Sequence, residues 1–112
     1  MARDVSIVIQ EMIEVIDHLK AGIEHQNYES FQKDWLLRHA AQRALEIISE
    51  ASRHLPDDLR ATEPDVDWAQ IRAIGNLLRH EYHRTSDKIV WRAITQHLDE
   101  LRPVLTRMLA RL

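Results

Sequence analysis

The chain of 112 residues contains no cysteine, which excludes a disulfide framework, a zinc ribbon and a thiol nucleophile together. It has only two glycines and three prolines, and no β-branched run alternates apolar with polar residues over strand length, so strands are not expected. No stretch approaches the roughly 18 uninterrupted apolar residues of a membrane span. The N-terminus, Met1-Ala2-Arg3-Asp4, runs straight into mixed apolar and charged positions without the pattern of a secretory signal, and the expectation is a cytoplasmic protein. Basic excess is also missing: 15 Lys and Arg against 18 Asp and Glu give a net charge of -3, which argues against a protein that coats polyanions indiscriminately. A local basic patch remains open.

What is present is helical periodicity. An apolar fraction of 45% with 29% charged residues is ordinary for a globular chain, and a chain of this length buries roughly two-thirds of its unfolded surface in one core. The whole of residues 1–112 reads as a single domain. Val5, Ile9, Met12, Ile13, Ile16 and Leu19 recur at helical spacing and predict a first helix over residues 4–21. A second helix begins at Asn27 or Ser30, either of which suits a cap, and runs to about residue 54, with Phe31, Trp35, Leu36, Ala40, Leu45, Ile47, Ile48 and Ala51 on its buried side. Residues 55–66 hold Pro56, Pro64 and four carboxylates, the composition of a connecting loop with at most a short turn.

Asp67 with Gln70 three positions on forms a capping-box pattern before a third helix that ends near residue 84. Thr85 or Ser86 caps a fourth, in which Pro103 is expected to kink or break the helix. Four amphipathic helices with mostly short connections predict an antiparallel bundle.

The third helix carries the chemistry. Ile71, Ile74, Leu78 and Tyr82 form one side, while Arg72, Asn76, Arg79, His80 and His83 gather on another. Such a polar side is commonly a solvated face. Here, however, histidine exchanges a proton near neutral pH, arginine grips phosphate through a planar fork of donors, and asparagine orients a substrate or the imidazole. Together these suit phosphodiester cleavage in RNA, whose 2′-hydroxyl supplies the nucleophile, so that a proton-transfer group and a cation suffice without metal. A two-fold dimer would bring two copies of the helix into one cleft. Gly75, costing about 1 kcal/mol relative to alanine inside a helix, points to a close helix crossing. Metal binding is disfavoured: Glu14 with His18 and Glu50 with His54 read as exposed neighbours one turn apart, and the three tryptophans, at apolar helix positions, as core.

The segment Ile74-Gly75-Asn76-Leu77-Leu78-Arg79-His80-Glu81-Tyr82 resembles the signature of the HEPN superfamily, specifically the HepT-like toxins of prokaryotic toxin–antitoxin systems. Asp34-Trp35 with the block from Ala44 to Ala51, Val66-Asp67-Trp68-Ala69-Gln70-Ile71, and Lys88-Ile89-Val90-Trp91 resemble further parts of that family, so the likeness covers nearly the whole chain. It implies an all-α bundle of four to five helices that dimerises through the motif helix, with RNA cut in the shared cleft without metal or other cofactor. His80 takes the catalytic position, and Asn76 and Tyr82 also match. The family's arginine position is Gly75, leaving Arg79, or Arg72 one turn earlier, as the phosphate-binding cation, with His83 auxiliary. The resemblance further implies a nucleotidyltransferase-fold (MNT-like) antitoxin as partner and Tyr82 as acceptor of AMP, although spacing alone fits a packing role for Tyr82 equally well. A competing expectation, suggested by Gly75, is a catalytically silent helical adaptor that binds a nucleotidyltransferase or a nucleotide through the same cleft.

Overall fold

A computed structural model describes residues 4–81 and 86–112, with the side chains of 79–81 left aside. All its regular elements are helical. They are α1 (Val5–Ile23), α2 (Tyr28–Lys33), α3 (Trp35–Ser52), α4 (Asp57–Arg60), α5 (Trp68–Glu81), α6 (Asp87–Arg92), a π-helical turn over Ala93–His97, and α7 (Leu98–Ala110). α1 packs against both α3 and α7, and α5 packs chiefly against α3. Val8, Ile9, Met12 and Ile16 of α1 are shut from solvent and meet Ala41, Leu45 and Ile48 of α3 and Leu101, Leu105 and Met108 of α7 in one core. Each large apolar side chain buried there contributes about 1.5–3 kcal/mol through removal of its surface from water.

Caps set the element boundaries. Asp4 accepts from the amide of Ser6 and starts α1 where the sequence placed it. The long second helix of the sequence reading is in fact two. Asn27 and Ser30 form a reciprocal capping box on the short α2, and the chain then turns extended at Asp34, whose carboxylate accepts from the Leu37 amide and starts α3 afresh. The break rotates α3 relative to the expected stripe: Trp35, Leu36 and Ala40, expected in the core, are exposed, whereas Phe31 on α2 is fully buried with its ring 5.1 Å from that of Trp91.

The connector 55–66 contains the single short helix α4 and is tied down by a buried carboxylate. Glu63 accepts from Arg107 at 2.7 Å and from Arg111, both on or just after α7, while its carbonyl accepts from the Trp68 indole at 3.3 Å. Asp67 then accepts from the Gln70 amide at 3.0 Å and caps α5. Across the outer seam, Arg102 makes two bonds to Asp17, at 2.6 and 2.9 Å, and Lys20 reaches Asp99 at 2.7 Å, joining α7 to α1.

Ser86 caps α6, as expected. Pro103 does not break the fourth helix. α7 runs through it, because Leu101, Val104, Leu105 and Met108 remain buried on either side of the one missing amide donor, and the irregularity lies upstream in the π turn instead.

Candidate functional site

α3 and α5 run antiparallel at close range, and the register between them is set by three contacts. The Ser49 hydroxyl donates to the Arg72 carbonyl at 2.9 Å, and the Arg53 guanidinium approaches the same oxygen at 3.5 Å. Gly75 is the third: a Cβ built there would lie 2.3 Å from the Ser49 oxygen and 2.6 Å from its Cβ, distances at which something must move. The close crossing expected from an interior glycine is present. Position 75, where the resembling family has arginine, is buried against α3 and gives no route to solvent on that face.

The rest of α5 divides by helical geometry. Trp68 and Leu78 are buried, Ile71 and Ile74 half-buried, and Ala69, Ala73 and Asn76 exposed. Arg72 and Asn76, four residues apart, lie a turn apart on one ridge along the boundary between the α3 contact and solvent, and the same interval of four reaches position 80 in the sequence. Arg72 is half-buried at the start of that ridge, with its carbonyl fixed by Ser49 and no acid bound to its guanidinium among the described residues. Arg79 and His80 belong to the last described turn of α5; their side chains, and the whole of Tyr82 and His83, lie outside what the structure describes. The sequence reading did not foresee Ser49, the partner of Gly75. Its signal was the small pair Ser49 and Ser52 on the α3 face, both buried.

A groove of about 860 Å³ among the described residues lies elsewhere. Ile71 and Ile74 line one wall, and Ile89, Ala93, Leu98 and Leu101 line the other. At 100° per residue these α5 positions are on roughly the opposite side of the helix from Asn76 and position 80. The groove and the ridge are therefore separate features.

Among the described residues, no three His, Asp or Glu side chains converge as metal ligands. His18 with Glu14 at 3.6 Å and His54 with Glu50 at 3.8 Å are exposed pairs one turn apart, as their spacing predicts. No helix among the described residues is long and apolar enough to cross a membrane.

With this geometry in hand, likeness to known proteins becomes informative. The model of a family described as ribonuclease HepT-like matches residues 9–108. A candidate RNase of Caldanaerobacter subterraneus is 36% identical over 94 residues, covering 84% of this chain and 80% of the relative. A candidate RNase of Methanocaldococcus jannaschii is 28% identical over 100 residues, with 89% and 92% covered. A candidate ribonuclease HepT of Thermococcus cleftensis is 26% identical over 102 residues, with 91% and 93% covered. No solved structure matches the chain. An all-helical chain matched by that model across almost its full length, it belongs to the HepT-like ribonuclease family.

Proposed function

We propose that this chain is a metal-independent endoribonuclease, the toxin of a type II toxin–antitoxin pair, folded as one HEPN-like domain over residues 1–112 and active as a homodimer. The observation that carries the reading is Arg72 and Asn76 a turn apart on α5, with His80 next at the same sequence spacing, in a chain of the HepT-like ribonuclease family. His80 transfers the proton to or from the 2′-hydroxyl and leaving oxygen, Asn76 orients the imidazole or the substrate, and a guanidinium stabilises the charge that builds on the phosphate. With position 75 given over to packing, that guanidinium comes from Arg79 or Arg72, and His83 is an auxiliary phosphate contact. One histidine per chain is sparse for both acid and base, and two protomers sharing a cleft supply the pair.

The cognate partner in this reading is a nucleotidyltransferase-fold antitoxin that attaches AMP to Tyr82. The added phosphate would repel RNA from the cleft.

Purified protein incubated with RNA in EDTA is expected to cleave it, and His80→Ala to abolish the cleavage. Comparing Arg72→Ala with Arg79→Ala then identifies the working cation by the larger fall in rate. RNA that stays intact with the unaltered protein sinks the nuclease. The buried Gly75 favours one second reading in that event, a catalytically silent adaptor for a nucleotidyltransferase or nucleotide. It requires a stable complex with such a partner and no growth defect on overproduction alone.

A further inference from the structure

We propose that Arg53 and Arg72 form a clamp for an RNA backbone phosphate other than the one cut, about two helical turns along α5 from position 80. The inference rests on the ribonuclease reading for its ligand.

The two arginines come from different helices and are brought together where α3 crosses α5. The Ser49 hydroxyl, at 2.9 Å, and the Arg53 guanidinium, at 3.5 Å, both approach the Arg72 carbonyl, so Arg53 reaches across the seam to the residue that bears the second guanidinium. Gly75, closed against Ser49, fixes the crossing about one turn further along α5.

Charge at this seam is not balanced as it is elsewhere. Arg102, Arg107 and Arg111 are each bonded to a carboxylate. Arg72 is half-buried with no acid at its guanidinium among the described residues. The Nε of Arg53 lies 3.9 Å from Glu50, beyond a hydrogen bond, and the same carboxylate faces His54 at 3.8 Å. One carboxylate serves Arg53 and His54, and none serves Arg72. A cation partly withdrawn from water is stabilised by an anion, and the planar fork of a guanidinium matches the oxygens of a phosphate. The Arg53 side chain is 43% exposed, so a strand can reach it.

Position along the helix decides which phosphate is held. Residue 72 precedes position 80 by eight residues, about 12 Å of helix axis, and a stacked strand carries a phosphate about every 3.4 Å. A guanidinium at 72 therefore meets the strand about three nucleotides from the bond that His80 acts on. The scissile phosphate is left to Arg79, next to His80 in the chain. Asn76, exposed, stands midway between the clamp and position 80.

The test uses full-length His80→Ala protein, in which bound RNA stays whole, and a fluorescein-labelled single-stranded RNA titrated at several salt concentrations. Arg53→Gln and Arg72→Gln each remove one charge. Either is expected to make the slope of log affinity against log salt shallower by about 0.7, and the two together by about 1.4, with the affinity gap widest at low salt. Arg53→Lys, which keeps the charge, should keep the slope. An unchanged slope in folded Arg53→Gln protein would overturn the clamp. So would weaker binding at unchanged slope with a lower urea midpoint, which marks Arg53 as a packing contact of the seam. In the cleaving protein the loss from Arg53→Gln should fall on KM; a fall in kcat at saturating RNA would put that guanidinium on the reacting phosphate and overturn the remote assignment. The two failures differ: cleavage with slopes that neither substitution moves removes the clamp alone, and arginine-dependent slopes without cleavage by the unaltered protein remove the nuclease alone.

Discussion

A hydrogen atom at position 75 stands where any other residue would place a carbon 2.3 Å from the Ser49 oxygen, and this overlap lets a single substitution be weighed. Gly75→Ala gains about 1 kcal/mol of helix propensity. Against that, overpacking costs about 1–3 kcal/mol, and turning Ser49 aside forfeits its bond to the Arg72 carbonyl, about 0.5–1.5 kcal/mol. The expected result is a net loss of about 1–2 kcal/mol in urea denaturation. Ser49→Gly in the same protein should recover part of it, because the two atoms that meet the new methyl are both on the Ser49 side chain; additive losses would show that the strain lies elsewhere. Gly75→Arg, which copies the arginine of the resembling family, is expected to cost more stability than alanine and to raise no RNA cleavage, measured on the folded fraction. The same crowding explains why the position reads as a missing catalytic group in sequence and as a packing residue in space.

On the scale of elements, α5 depends on its entry. Asp67 satisfies one of the amides left unpaired in its first turn, and Asp67→Ala should lower stability by about 1 kcal/mol, read as a fall in the urea midpoint with unchanged slope. A variant with an unaltered midpoint would mean that α5 is held by its α3 contact alone. This cap was legible because Asp67 and Gln70 stand at capping-box spacing before Ile71 and Ile74. The start of α1 near Asp4 was legible from the apolar repeat that begins at Val5, and the cap at Ser86 from its residue type. The break at Asp34 was not, since an acidic residue inside an amphipathic pattern looks like an exposed helical position until its bond to the Leu37 amide is seen. Nor was the exposure of Trp35. Its spacing places it on the buried side of one long helix, and the fresh start of α3 at Asp34 takes it off that side. The ridge of Arg72, Asn76 and His80 follows from spacing; the closure of position 75 needed the neighbouring helix.

For the whole molecule, the charge clamp at Glu63 couples the connector, the start of α5 and the C-terminal helix, and it makes stability depend on acid in a defined direction. Bonds from Arg107 first, and then from Arg111, hold the Glu63 carboxyl at a pKa of about 2 against an ordinary 4.5. A carboxylate whose folded pKa is depressed stabilises the fold fully above its unfolded value, and the contribution drains away as pH falls from about 4.5 towards 2. Asp17, lowered by its bonds from Arg102, acts in the same sense on the α1–α7 seam, so the acid response of the unaltered protein is a sum. Subtracting a Glu63→Gln protein isolates the clamp. At neutral pH the variant should have the lower urea midpoint, and the gap between the two proteins should narrow as pH falls through 4.5 and nearly close near 2. Midpoints that stay parallel from pH 7 to 2 would show that Glu63 is no more strongly held in the folded chain than in the unfolded one. A narrowing gap would instead make this connector, which delivers Asp67 to the head of the motif helix, the acid-labile joint of the bundle.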